Sequence, residues 1–221
     1  MTFRACTTSF LLALSLVPLA AHAQVTVLGI EIAGLHQADK GGDYDKNVVQ
    51  VKDAILTVLP ATRAFAEFAK CSDCCISPAN KNPVFYEFNT DAYLASKPQN
   101  LAKVYIFSPA GAPAVSSLDA LKGKKVGIRA GLPYGKRIDD SKDFIKDPSP
   151  TPEASIKKLE LGRVDYLLEW TPDMEIAFQK LNMKPFPHAE AQPVEVHEDS
   201  VLCKASPRTK AFLEKLNGVI K

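Results

Sequence analysis

Residues Leu121–Gly135 read LKGKKVGIRAGLPYG, and residues Leu159–Trp170 read LELGRVDYLLEW. In the first, Lys125–Arg129 (KVGIR) is a short strand-forming run that ends in the glycine-bearing turn Ala130–Gly135, with a helix expected to follow. Upstream of the second, Thr151-Pro152-Glu153 supplies a capping hydroxyl, a proline at the first turn and an acid near the positive end of the helix dipole. That helix buries Ile156 and Leu159 and stops at Gly162, after which Val164–Trp170 reads as a buried strand. Strand, turn, helix and strand in that order is the repeating unit of an α/β sheet.

The same unit occurs earlier. Val25–Ile32 (VTVLGIEI) alternates around Gly29, which suits a strand with a kink or a close approach at the glycine. A helix is expected from Tyr44 with Asp43 as its cap, then a buried strand at Ala54–Leu59, then a helix opened by Pro60 that buries Ala61, Ala64, Phe65 and Phe68. A strand near Cys74–Ser77 and a strong one at Val104–Ser108 follow, and Pro109–Pro113 is the first obvious break in composition. Beyond it Ser117 caps a short helix, and Thr171-Pro172-Asp173 begins another that carries Ala177, Phe178 and Leu181. The proline-rich stretch Lys184–Val196 reads as a return linker to a strand near Val201–Lys204, and Ser206-Pro207 starts a closing helix. Two β-α halves, each with a crossover, imply two α/β lobes.

The chain has 221 residues, of which 46% are hydrophobic and 24% charged, a composition that excludes disordered and fibrous classes. A formal net charge of +2 offers no basic field for a phosphate backbone, so no nucleic-acid partner is expected. Residues 1–23 carry Arg4, an apolar stretch from Phe10 to Ala21 and the small-residue site Ala21-His22-Ala23, which reads as a secretory signal peptide cut after Ala23. The mature chain is expected in the periplasm. There Cys71, Cys74, Cys75 and Cys203 favour disulfides over a metal site, with three full pairings open. No cofactor is expected.

At SLDALKGKKVGIRAGLPYG (Ser117–Gly135), LELGRVDYLLEW (Leu159–Trp170) and SPRTKAFLEKLN (Ser206–Asn217) the chain resembles the extracellular solute-binding proteins of polar-amino-acid-type ABC importers. GGDYD, ATRAF and VYIFSPAG in the amino-terminal half match more weakly. The resemblance implies a two-lobed periplasmic binding protein-like fold, each lobe a mixed sheet flanked by helices, with a ligand cleft between them. Lobe one would comprise residues 24–108 plus 197–221, and lobe two residues 109–196. Within lobe one, Cys74 on one strand and Cys203 on the returning strand are expected to pair.

Ligands of open α/β sheets bind beyond the carboxyl ends of strands, where helix starts present unpaired N–H groups. The turn after KVGIR fits that description: Arg129 favours an anion, Gly131 permits close backbone approach, and Tyr134 faces the ligand. Glu169 takes the place of the aspartate that relatives use for an ammonium group, Asp173 stands a turn further on, and Trp170 covers an apolar or cationic ligand. His36 and Tyr44 are placed at the cleft by the first β-α loop, and Phe107 by the hinge strand. Two departures from the relatives stand out. Leu132-Pro133 replaces the usual hydroxyl of the turn, and SKPQNLAKVYIFS (Ser96–Ser108) lacks the arginine that clamps a carboxylate.

The expected function is therefore capture of a small polar or zwitterionic solute by a monomer that delivers it to the membrane permease of an ABC importer, without chemistry. Two alternatives share the scaffold. One is an accessory or sensory binding module. The other is a periplasmic dehydratase using Glu169 and Asp173, although Gly-x-Ser-x-Gly, His-Glu-x-x-His and phosphate-loop motifs are all missing from the sequence.

Overall fold

The alternating apolar residues of Val25–Ile30 form β1, flanked by two parallel neighbours: β2 (Ala54–Leu59) and β3 (Cys74–Ala79). The computed structural model describes residues 24–86 and 92–221, so the expected signal peptide at 1–23 lies outside the described residues. Gly29 is the close approach that its sequence position implies, since a methyl group there would stand 3.0 Å from the His36 ring. Helix α1 (Asp43–Val49) starts one residue earlier than Asp43 as cap requires, because Asp45 Oδ2 accepts from the Gly42 N–H and moves the cap back to Gly42. Helix α2 (Ala61–Lys70) follows Pro60 and buries Ala64 and Phe68, while Ala61 and Phe65 are only half-buried. Strand β2 is not a buried strand but the edge of the sheet, with Ile55 45% exposed.

After β4 (Tyr93–Ala95), β5 (Asn100–Phe107) is longer than its apolar centre suggests. Ser117 Oγ accepts from the Asp119 N–H and opens a 3-10 turn at Leu118–Leu121. Then β6 (Lys125–Arg129) has the bounds read from the sequence. The helix expected after its turn is a single turn, α3 (Lys136–Asp139). Strand β7 (Ile145–Ser149) was not legible, for it contains Asp147 and Pro148 and pairs only with β6 at the far edge, where a missing N–H is tolerated. Helix α4 (Pro152–Glu160) begins where Thr151 Oγ1 accepts from the Ala154 N–H, and β8 (Tyr166–Thr171) and α5 (Asp173–Lys180) follow. The chain closes with β9 (Glu195–Lys204) and α6 (Pro207–Val219), the latter capped by Ser206.

One curled mixed sheet runs in the order β2-β1-β3-β9-β5-β8-β6-β7, with β4 also on β9. Its two halves meet at β5 and β9. Glu195–Asp199 of β9 pairs with Asn100–Val104 of β5, whereas Ser200–Lys204 pairs with β3 and β4. Likewise Lys103–Phe107 of β5 already pairs with β8, so the ladder changes neighbours about five residues before the composition break at Pro109. Among the described residues three apolar clusters hold the sheet. Val48, Phe212 and Leu216 pack under the first half, Ile156, Met174 and Phe178 under the second, and a third cluster runs between the halves, joining Ile30, Leu35 and Phe68 to Tyr134, Ile138 and Trp170. Among the described residues no helix is long and apolar enough to cross a membrane.

The disulfides correct the expected pairing. Cys75 and Cys203 are register partners on β3 and β9 and bond to each other, while Cys74 bonds back to Cys71 at the end of α2. Neighbouring residues of a strand point to opposite faces, so Cys74 is turned away from the cysteine on β9. Their clusters agree: Cys74 packs with Phe68 and Ile76, Cys75 and Cys203 with Phe212.

Candidate functional site

In the second half, β6, β7 and β8 end at Arg129, Ser149 and Thr171, so their carboxyl ends converge on the start of α4 and the start of α5. Arg129 and Asp173 are both buried there, with Arg129 Nη1 3.6 Å from Asp173 Oδ2, too long for a hydrogen bond. Arg129 Nε and Nη1, Asp173 Oδ2 and Ser149 Oγ have no hydrogen-bond partner among the described residues. Leaving such groups buried and unpaired costs about 1–3 kcal/mol each, more for charged ones. Burial pushes the Asp173 carboxyl from its ordinary 3.8 up to about 7, against the opposing pull of Arg129.

Glu169 lies next to this pair but is already engaged. Ser155 Oγ donates to its Oε1 at 2.5 Å, and Tyr134 Oη lies 3.5 Å from Oε2. Burial raises it to about 8, with Arg129 and Ser155 pulling the other way. Tyr134 is fully buried, and its hydroxyl accepts from the Arg129 backbone N–H at 2.7 Å. Tyr134 and Glu169 therefore support the end of β6, which carries Arg129.

The first half contributes two side-chain chains. His36 Nδ1 donates to Asp45 Oδ1 at 2.7 Å, and its Nε2 accepts from Ser77 Oγ at 2.9 Å. Burial would raise Asp45, but its hydrogen bonds from His36, Gln37 and Gly42 outweigh that and hold it low. The order Ser77–His36–Asp45 resembles a nucleophilic triad, yet all three residues are sealed from solvent and Gln99 Nε2 also donates to Ser77 Oγ. It fixes the β1–α1 loop. In the second chain, Tyr44 Oη donates to Asp199 Oδ2 at 2.7 Å, His197 Nδ1 donates to Asp199 Oδ1 at 2.7 Å, and Tyr86 Oη donates to His197 Nε2 at 3.0 Å. Burial and Asp199 both raise Tyr44 well above the ordinary phenol range.

These elements close on one another. A methyl group on Gly131, whose φ is +79°, would lie 2.6 Å from Thr62 Oγ1 at the start of α2, and one on Gly34 would lie 2.4 Å from Ile176 of α5. The Lys136 N–H donates to the Val84 carbonyl across the same seam. Between the halves remains a chamber of about 40 Å³, walled by Tyr86, Leu132, Trp170, Asp173, His197 and Asp199. It has room for a water molecule or two and not for an amino acid. On the other side of Arg129 the seam widens to about 390 Å³ among Glu31, His36, Arg129, Thr151, Glu153 and Lys180.

Of the residues expected to face a ligand, Arg129 lines the wider space, Trp170 and Asp173 line the chamber, and His36 lies sealed in the wall of the wider space with both ring nitrogens engaged. Gly131 is at the seam, whereas Tyr44, Tyr134 and Glu169 stand behind the lining, joined to it through hydrogen bonds. Phe107 is apart from both spaces. It alternates away from Ile106 and packs with Phe178 and His188, ring centroids 6.2 and 4.7 Å apart, beside a separate groove. Sequence reasoning missed His197, Asp199 and Ser149. The first two were legible as polar residues two apart on one face of a strand, had β9 been read to begin before Val201.

Solved structures share this fold. The arginine-binding protein ArgBP of T. maritima, in a mutant form, aligns with a TM-score of 0.66 at 13% identity, over 90% of this chain and 88% of its own. The fold is that of the periplasmic binding proteins. An arginine transport-system periplasmic binding protein of Legionella pneumophila aligns at 0.60 and 14%, covering 89% and 91%. A histidine kinase sensor domain similar to periplasmic binding proteins aligns at 0.62 and 14%, covering 90% and 89%. No protein-family model and no curated protein sequence matches the chain. At such identities the likeness to periplasmic binding proteins concerns fold alone.

Proposed function

We propose that the protein binds a small zwitterionic or polar solute between its two sheet halves, with an anionic group on Arg129 and a cationic group on Asp173. The observation that carries this reading is the buried Arg129–Asp173 pair at the carboxyl edge of β6 and β8, in which Arg129 Nε and Nη1 and Asp173 Oδ2 lack hydrogen-bond partners among the described residues. A ligand with both charges would satisfy both once the halves part: the wider space beside Arg129, with the start of α4 in its wall, takes an amino-acid-sized molecule, and Asp173 faces the chamber on the other side of Arg129. The chamber beside Trp170 is too small for it, so entry needs the halves to part about β5 and β9, the two strands shared by them. On this reading residues 24–108 plus 197–221 and residues 109–196 move as two lobes of a monomer.

The fuller reading is an exported periplasmic protein that hands its solute to the permease of an ABC importer, as the transport-system neighbour supports. A sensory role is the second reading, favoured by the sensor-domain neighbour and by a seam that closes on its own side chains. Dehydratase chemistry is disfavoured, because both oxygens of Glu169 are occupied by Ser155 and Tyr134.

A thermal-shift screen of amino acids, organic acids, amines and short peptides tests the binding claim. A true ligand at a hundred times its dissociation constant adds about 2.7 kcal/mol. The stabilising solute should lose at least tenfold in affinity for Arg129→Ala. A screen without any stabiliser, or one whose stabiliser is indifferent to Arg129→Ala, refutes it.

A further inference from the structure

We infer that the Cys71–Cys74 bridge is a thiol–disulfide exchange site for an external dithiol, with Cys71 the sulfur attacked, while Cys75–Cys203 stays closed. Burial separates the two bridges. Cys74, Cys75 and Cys203 are at most 3% exposed, whereas Cys71, at the end of α2, is only half-buried. Exchange needs a thiolate to reach a sulfur, so Cys71 is the accessible entry.

Three further features make the couple reversible and self-contained. The loop between the two cysteines is held independently of the bridge. Asp73 accepts from Ser206 Oγ and pairs with Arg208 at 3.0 Å, and Lys204 Nζ donates to the carbonyls of Ala69, at 3.1 Å, and of Cys71. Opening the bond therefore leaves the sulfurs within reach of each other. Lys204 also sets an ammonium charge at the carboxyl end of α2, which favours thiolate where the helix dipole alone would oppose it. Finally, Cys74 lies on the opposite face of β3 from Cys75 and Cys203, so its thiolate has no path to the second bridge.

A thiolate of the dithiol attacks Cys71 Sγ, the Cys71–Cys74 bond breaks, a mixed disulfide forms on Cys71, and Cys74 leaves as thiolate. The dithiol's second thiolate then attacks its own sulfur in the mixed disulfide, releasing Cys71 as thiolate. The dithiol ends as a disulfide, and two electrons have passed to the protein.

The full chain under native conditions, treated with dithiothreitol, quenched with iodoacetamide and mapped by peptide mass spectrometry, tests this. A parallel pulse of glutathione, quenched with acid, traps the first step. Labelling of Cys71 and Cys74 at least tenfold faster than Cys75 and Cys203, a glutathione adduct on Cys71, and return of the original bridge once the dithiol is replaced by its oxidised, disulfide form, which takes back the two electrons, are expected. Simultaneous labelling of all four, no labelling before unfolding, an adduct on Cys74, or a scrambled bridge after reoxidation overturns the inference.

Discussion

Glu169 shows how one buried side chain sets a pH dependence. Its carboxyl is raised from 4.5 to about 8, mainly by burial, so the folded chain keeps a proton that the unfolded chain gives up. Protons bound then favour the folded state, and stability must fall as pH rises from about 4.5 to about 8. Asp173, raised from 3.8 to about 7, adds a decline over the lower part of that window. Between pH 7 and 8 the Glu169 contribution dominates, at on the order of 1 kcal/mol. Glu169→Gln keeps one oxygen to accept from Ser155 and turns its amide N–H toward the Tyr134 hydroxyl, so its urea midpoint should stay nearly flat between pH 7 and 8 where the native chain's drops. An equal drop in both would show that another group titrates. For Asp173 the same shift bears on binding. A solute ammonium placed on Asp173 selects the ionised carboxylate, so affinity for such a solute should rise between pH 6 and 8 in calorimetric titration, and Asp173→Asn should abolish the rise.

At the scale of elements, the boundaries that the sequence marks with chemistry are the ones found. Lys125–Arg129 is a strand because Val126 and Ile128 are fenced by glycines, and α4 begins at Thr151-Pro152 because hydroxyl and proline both suit a helix start. Strand β7 escaped because its pairing to β6, not its composition, makes it a strand, and its Ile145 is 63% exposed. The disulfides escaped for a different reason. Cys74 and Cys75 are equivalent by spacing, and only strand register decides which of them meets Cys203. The two bridges should also differ in worth. Cys75–Cys203 spans 128 residues and Cys71–Cys74 only three, so loop-closure entropy assigns them about 5 and about 2 kcal/mol. Alanine replacement of Cys75 with Cys203 should lower the unfolding free energy well beyond replacement of Cys71 with Cys74, as read in urea titration. Equal losses would contradict the entropic argument.

Across the whole molecule, the order of β-α units was legible, and with it the two halves and their shared returning strand. The candidate site was legible only in part. Arg129, Asp173 and Trp170 sit at strand ends or helix starts, positions that a sequence reading reaches, whereas the Tyr44–Asp199–His197–Tyr86 chain joins residues far apart in sequence. Phe107 was misplaced because alternation along β5, invisible without its pairing, turns it toward Phe178. The closed seam was not legible either. It arises from Leu132-Pro133 packing beside Tyr86 and Trp170, where the sequence comparison showed only a missing hydroxyl.

A solute held between the halves would tie them together and slow backbone exchange on both sides of the seam. Hydrogen–deuterium exchange, with and without the best stabiliser from the thermal-shift screen, tests it most directly. Added protection is expected in both halves at once, over residues 31–37 of the first and residues 129–135 and 149–153 of the second. Protection confined to one half, or centred on the groove beside Tyr105 and His188, would contradict it.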